Sequence, residues 1–270
     1  MSVHRIHAIR YARHERVAAD NFIGGGAADD HDAPMPLDYF VWAIERADAP
    51  PIVVDTGFGE EAAQRRGRTM LRPVEDGLRA VGIAPEDVAE VVLTHLHYDH
   101  AGSLDLFPNA RFHIQEGELA FATGKAMLHR HVRAPFDCEP VAQMVRLLFG
   151  ERLVFHAGDA EIAPGVTLRL MAGHTAGLQA VEVATARGAV ILASDACHLY
   201  ANLLREVPFP IVVDVPAYLD ALARLRGLAE SLAHIIPGHD PLVLSVFPGG
   251  AAEDVARVDL EPHRAIEEFV

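Results

Sequence analysis

Short apolar runs bounded by turn residues recur along the chain and predict β-strands. Arg187 and Gly188 mark a hairpin turn between two of these runs, and a second turn is predicted around Asp48 to Pro50. The predicted strands cover residues 3–11, 39–45, 51–55, 90–94, 111–115, 166–171, 178–184, 189–194 and 234–237.

Helical spacing of apolar residues appears in two further segments. Residues 74–81 follow Pro73 and precede Gly82, which are typical helix boundaries. In residues 218–232 the apolar positions recur every three or four residues, and Pro216 suits the first turn. Strands interrupted by helices predict an α/β or α+β fold with sheets covered by helices.

The arrangement along the chain indicates a single domain over residues 1–270. Residues 20–38 are rich in Gly, Asp and Pro and predict a mobile loop between strands. Residues 123–153 are expected to form an extra helix pair. In the functional interpretation, the same segment forms a wall of the substrate pocket or a subunit interface. A subunit interface there would make the protein a homodimer.

The composition argues against several classes of binding partner and indicates a cellular location. The chain has 38 acidic and 23 basic residues, a formal net charge of −15, so nucleic acid and anionic membranes are poor partners. No apolar run approaches the roughly 18 residues of a membrane span, and the N-terminus does not resemble a secretory signal. Two separated cysteines, Cys138 and Cys197, suit a reducing compartment, which predicts a cytoplasmic protein.

Histidine provides the chemical signal, with 16 copies whose spacing is not random. Residues 94–102 read Thr-His-Leu-His-Tyr-Asp-His-Ala-Gly and follow a predicted buried strand. On extended backbone His95 and His97 point the same way, and Asp99 and His100 follow after a turn. Nitrogen and oxygen donors gathered at a strand end predict a site for a divalent metal such as zinc.

Three more donors follow predicted strands in the same manner. They are His174 in the sequence Ala-Gly-His-Thr, Asp195 after residues 189–194, and His239 in Pro-Gly-His-Asp. A single histidine after a strand is more often an ordinary polar residue than a ligand. Their joint occurrence predicts a second group of ligands beside the first.

These motifs together resemble the metallo-β-lactamase superfamily, and within it the N-acyl-homoserine lactonase group. The resemblance rests on HLHYDHAG with the following FPNARFHIQ, GHT, SDA and PGHD, on the loop from Pro34 to Phe40, and on Asp55-Thr56-Gly57 behind the metal site. It implies an αββα fold in which two packed β-sheets are flanked by helices.

The resemblance also implies a ligand set for two divalent metal ions, most simply zinc. His95, His97 and His174 would hold the first ion, Asp99, His100 and His239 the second, and Asp195 would bridge. A water shared by two cations attacks a carbonyl readily, so the implied reaction is hydrolysis of a small-molecule lactone or related ester, and with it quorum quenching. The candidate catalytic residues are Asp99, His198 and Tyr200.

The chain departs from the lactonase pattern at three places. The tyrosine that commonly follows the bridging aspartate by three residues is replaced by His198, with Tyr200 two residues further on. Leu178 and Ala172 replace residues that many relatives share. From these changes we expect acyl-homoserine lactones to be poor substrates unless His198 or Tyr200 takes the role of the missing tyrosine.

Other activities of the superfamily remain open at this point. A thioesterase of the glyoxalase II type usually has a second histidine directly after the first, where this chain has Leu96. An iron-dependent sulfur dioxygenase would use only His95, His174 and Asp195. Flavin-linked oxygen reductases have Glu in the place of His97, and a metal-binding scaffold without activity is the least expected alternative.

Overall fold

The computed structural model describes residues 3–25, 30–47 and 49–269. Gly26 to Asp29, within the predicted mobile loop, and Asp48, within the predicted turn, lie outside the described residues. The strands are β1 (Arg5–His14), β2 (Leu37–Arg46), β3 (Ala49–Val54), β4 (Thr69–Met70), β5 (Glu90–Val92), β6 (Arg111–Gln115), β7 (Leu153–His156), β8 (Ala160–Ala163), β9 (Val166–Leu170), β10 (Gln179–Thr185), β11 (Gly188–Ser194), β12 (Ile235–Pro237) and β13 (Val255–Arg257).

The helices of the described residues are mostly short. They are α1 (Glu60–Arg66), α2 (Val74–Ala80), α3 (Tyr98–Ala101), α4 (Glu116–Ala122), α5 (Arg130–Arg133), α6 (Cys138–Phe149), α7 (Tyr200–Arg205), α8 (Val215–Leu228) and α9 (Leu242–Val246), with 3₁₀ turns at Ala18–Asn21, Pro85–Asp87, Leu104–Leu106, Lys125–Leu128, Leu232–His234 and Ile266–Glu268. Among them, none has both the length and the apolar character needed to cross a bilayer.

The strands form two sheets. The first has the order β13-β1-β2-β3-β5-β6-β7, with β4 paired to β1, and the second has the order β12-β11-β10-β9-β8. Strands β3, β5, β6 and β7 run parallel to one another, and so do β11 and β12. Parallel strands end at the same edge of a sheet, so residues that follow them come together there.

Three apolar clusters show how the layers pack. One cluster lies between the two sheets and includes Trp42 and Phe40 from the first and Leu168 and Val181 from the second. Another packs α1, α2, α4 and α6 on the outer face of the first sheet, and a third packs α8 on the second sheet. Each sheet is therefore covered by the other sheet on one face and by helices on the other, which confirms the αββα expectation.

The predicted elements are present with shifted ends. The first strand extends to His14, since Ala12 and Arg13 continue the pairing with β2 and also pair with β4. The helix predicted over residues 218–232 begins at Val215, where Asp214 accepts a hydrogen bond from Ala217 N, and ends at Leu228. Elements with few buried residues, such as α1 with only Ala63 buried, gave no periodic signal.

The insertion at residues 123–153 is helical, as expected, with Lys125–Leu128, α5 and α6 in succession. The turn between α5 and α6 reaches the predicted metal site. The carbonyl of Pro135 accepts a hydrogen bond from Tyr98 N at 2.9 Å, and the Phe136 ring lies 4.6 Å from the His97 ring, between centroids. This turn therefore forms one wall of the site.

Candidate metal centre

Each predicted ligand lies just beyond the end of a strand. His95 and His97 follow β5, and α3 carries Asp99 and His100. Asp195 follows β11 directly, His239 follows the parallel β12, and His174 lies in the turn between β9 and β10. The two sheets pack so that these ends meet, and all seven side chains are buried or nearly so.

The first group consists of His95, His97, His174 and Asp195, whose nearest ligand atoms all lie within 4.8 Å of one another. His97 Nδ1 is 2.9 Å from His174 Nε2. Asp195 Oδ2 is 3.1 Å from His174 Nε2 and 3.7 Å from His95 Nε2. Four donors so close together match the tetrahedral ligand set of a zinc-like ion.

The second group consists of Asp99, His100 and His239. Asp99 Oδ2 lies 3.7 Å from His100 Nε2 and 3.8 Å from His239 Nε2. The other oxygen of Asp195, Oδ1, lies 3.3 Å from His100 Nε2 and 3.0 Å from His239 Nε2. Asp195 therefore directs one carboxylate oxygen toward each group.

The backbone around Asp195 is shaped to hold this position. Ser194, the last residue of β11, has a φ of 48°, a left-handed conformation that turns the chain sharply at the strand end. Gly238 packs against that turn, and a Cβ there would lie 2.9 Å from Asp195 Oδ1 and 2.8 Å from Ser194 C. Only glycine allows the two strand ends to approach this closely.

Neighbouring groups fix which nitrogen of the histidines faces the centre. His100 Nδ1 is 2.7 Å from Asp55 Oδ2, so its N–H donates there and Nε2 is left for a metal. His239 Nδ1 likewise donates to the carbonyl of Asp38 at 2.9 Å. Asp55 also accepts hydrogen bonds from Thr94 N and Oγ1. These contacts are the outer partners that orient metal-binding histidines.

The donor set fits a pair of cations. Within the described residues, three buried ligand atoms make no hydrogen bond: His95 Nε2, His100 Nε2 and Asp195 Oδ1. Buried polar atoms without partners are costly, and a bound ion satisfies them. Burial opposes the charge of Asp195, yet the surrounding imidazoles, His198 and His239 foremost, hold the pKa of that carboxyl well below its usual range.

His198 lies beside these groups. Its Nε2 is 3.0 Å from Asp195 Oδ2, and its ring stacks on Phe209 at 3.9 Å between centroids and 10° between planes. Burial lowers the pKa of His198 to about 3, so the imidazole is neutral near pH 7. Asp195, His198 and His239 also lie close enough together to hold a metal ion. An experiment on His198 must therefore distinguish substrate binding from metal binding.

Tyr200, the other candidate for substrate contact, requires a correction. It is the first residue of α7, and its ring is fully buried in the cluster between the sheets. Its hydroxyl donates to the carbonyl of Ile235 at 2.9 Å. The structure therefore brings His198 to the centre and turns Tyr200 away from it, because the helix that begins at Tyr200 directs that side chain into the core.

Sequence reasoning missed Glu118, a fully buried carboxylate on α4. Its Oε1 accepts a hydrogen bond from Leu96 N, between His95 and His97, at 3.0 Å. Its Oε2 accepts from Thr175 Oγ1 at 2.6 Å and Gly177 N at 3.0 Å, in the turn that carries His174. Glu118 thus links the two loops that supply the first ligand group, and nothing in the local sequence around it signals this role.

We expect Glu118→Gln to weaken metal binding by about 10- to 100-fold, as loss of an outer partner does elsewhere. The amide would place a donor against Leu96 N or against Thr175 and Gly177, leaving buried donors unsatisfied. Titration with zinc in competition with a chelator measures the affinity. Glu116→Gln, an exposed acid on the same helix, is the matched control, and equal affinity in the two variants would contradict the assigned role.

The cavity over the centre is narrow, about 40 Å³, which holds only a few water molecules. Tyr39 and Tyr98 form one side, with their hydroxyls 3.3 Å apart. Pro135, Phe209 and Ile211 close the other sides. A substrate that reaches the metal ligands therefore contacts these side chains as well.

Comparison with known proteins agrees with this geometry. Residues 35–239 match the model of the metallo-beta-lactamase superfamily, a stretch that contains all seven predicted ligands. The chain belongs to this superfamily.

The most informative relatives are lactonases. An N-acyl homoserine lactonase of Bacillus thuringiensis is 30% identical over 217 residues, covering 74% of this chain and 81% of that protein. N-acyl homoserine lactonase AiiB of Agrobacterium fabrum is 30% identical over 168 residues, covering 60% of each chain. A solved N-acyl homoserine lactone hydrolase with N-hexanoyl-L-homoserine bound at its catalytic metal centre superimposes with a TM-score of 0.71 at 27% identity, covering 90% of this chain and 95% of that one.

Proposed function

We propose that this protein is a metal-dependent hydrolase that opens small-molecule lactones. The observation that carries the proposal is the position of Asp195, whose two oxygens face two separate groups of buried ligands. The similarity to lactonases over most of both chains supports the same activity.

In this proposal His95, His97 and His174 would hold one ion, Asp99, His100 and His239 would hold the other, and Asp195 would be shared by both groups. Zinc is the proposed metal because the donors are imidazoles and carboxylates. Divalent cations held by these residues would lower the pKa of a bound water and polarise a carbonyl. The complete second group supports a dinuclear hydrolase over a dioxygenase with one iron.

The chain's own side chains handle protons and developing charge. Asp99 Oδ2 lies at the edge of the cluster, where it can take a proton from the attacking water and return it to the leaving alkoxide. His198 Nε2 lies 3.0 Å from Asp195 Oδ2, so the single N–H of the neutral imidazole donates to that carboxylate. With a metal ion bound to Asp195, this N–H would be free to donate to the lactone carbonyl as negative charge develops there. The products are the hydroxy acid and, at neutral pH, one proton.

Metal removal tests this function directly. We expect chelator-treated protein to lose hydrolysis of γ-butyrolactone-type substrates and to regain it with zinc, followed by a pH indicator because ring opening releases a proton. Linear esters and thioesters assayed alongside separate a lactonase from a thioesterase. Elemental analysis should give two metal ions per chain; a single iron with no lactone hydrolysis would contradict the proposal.

Two further proposals concern the cellular location and the oligomeric state of the enzyme. We propose a cytoplasmic location, which both cysteines support, since Cys138 and Cys197 are free thiols. The homodimer remains a prediction, to be checked by analytical ultracentrifugation.

A further inference from the structure

Two arginines, Arg16 and Arg68, line the cavity over the metal centre. Within residues 3–25, 30–47 and 49–269, neither forms an ion pair with a carboxylate side chain. Carboxylates outnumber cations in this chain, whose net charge is −15. Arginines of the same region are paired, Arg10 with Asp38 and Asp254, and Arg72 with Asp254.

Arg16 reaches the cavity from the segment that follows β1. Its guanidinium lies over the Phe209 ring, 5.1 Å from the centroid, and its Nη2 donates to the carbonyl of Asp20. Its Nε is buried and has no hydrogen-bond partner in the described residues. Phe209 therefore contacts both Arg16 and His198, and His198 lies next to Asp195.

Arg68 lines the same cavity. Its Nε donates to Tyr98 Oη at 3.0 Å, and its Nη1 contacts the carbonyl of Arg66 and, at 3.2 Å, His14 Nε2. Burial and the nearby arginines lower the pKa of His14 to about 4, so this imidazole is neutral near pH 7. The partners of Arg68 thus position the guanidinium without neutralising it.

The positive charges of Arg16 and Arg68 at the cavity are important because the chain as a whole is negatively charged. A chain this acidic repels anions at long range, so an anionic substrate needs local attraction at the site. A planar guanidinium matches the two oxygens of a carboxylate. Arg16 and Arg68 line the same cavity as the metal ligands, so a substrate whose ring carbonyl faces the ligands has its substituents near these arginines.

We propose that the preferred substrate is a lactone that carries a carboxylate, held at the rim by Arg16 and Arg68 while the ring carbonyl faces the metal centre. This inference rests on the proposed lactonase function and names its substrate class.

The test compares two lactones of nearly equal shape, 5-oxotetrahydrofuran-3-carboxylate and its carboxamide, with the zinc-loaded enzyme. We expect the parent enzyme to favour the carboxylate in kcat/KM by about tenfold or more, as expected for a hydrogen bond to a charged group. Arg16→Gln and Arg68→Gln should each reduce that preference about tenfold, mainly through KM. Arg5→Gln removes the same charge from an exposed site on β1, away from the cavity, and should keep the parent preference.

The outcomes separate this inference from the proposed function. Hydrolysis of both lactones without preference, or an equal loss for both in the arginine variants, overturns the inference and leaves the lactonase intact. If neither lactone is opened, calorimetric binding of the two ring-opened products to the zinc-loaded protein decides. Tighter binding of the product with the additional carboxylate, lost in Arg16→Gln and Arg68→Gln, supports the anion site, and equal binding of both products refutes it.

Discussion

Replacement of Asp195 by Ala is expected to abolish lactone hydrolysis and to reduce the metal content below two ions per chain. Its two oxygens approach His174 and His239 at 3.1 and 3.0 Å, so one substitution removes a ligand from both groups. The loss should exceed the 10- to 100-fold that follows removal of an outer partner. Elemental analysis and the lactone assay on the same sample measure both effects.

The matched controls for this variant separate charge from shape. Asp195→Asn keeps the size of the side chain and one oxygen but removes the negative charge, so we expect it to retain the fold and still lose paired metals. Asp220→Ala changes an exposed acid on α8 and should behave as the parent. Full metal content and full activity in Asp195→Ala would mean that the bridge lies elsewhere.

The second large effect is expected from His198→Phe. Loss of a hydrogen-bond donor to a developing oxyanion costs about 10²- to 10³-fold in turnover in other enzymes. Phenylalanine can preserve the stack on Phe209, so both metals should remain bound. Turnover with a saturating lactone, together with metal analysis, measures the effect.

Two results would change the role assigned to His198. Turnover equal to the parent would show that the imidazole does not assist the reaction. Loss of a metal ion in His198→Phe would instead make His198 a ligand in the set with Asp195 and His239. His198→Tyr supplies a hydroxyl donor at the same place, and we expect it to recover turnover and to improve hydrolysis of acyl-homoserine lactones.

The metal centre could be predicted from the sequence because its densest part is local. Four of the candidate ligands fall within the six residues 95–100, shortly after β5, and the fold contributes only the strand end that presents them. His174, Asp195 and His239 could be found because each follows a strand with a strong apolar pattern. The approach of Asp195 to both groups depends on the left-handed Ser194 and on Gly238, which no spacing reveals.

Contacts between residues that are far apart in the sequence could not be predicted from local motifs. Glu118 contacts Leu96 on one side and Thr175 on the other, and only the packing of α4 against both loops brings them together. The expected position of Tyr200 was wrong for the same reason. Asp240, far along the chain, accepts a hydrogen bond from Tyr200 N at the start of α7 and so fixes where that helix begins.

The division of the ligands between the two sheets has a consequence for the stability of the enzyme. The first sheet supplies His95 to His100 and the second supplies Asp195 and His239, so bound ions would link the two halves of the sandwich. The thermal stability of the enzyme should therefore rise with the concentration of free zinc.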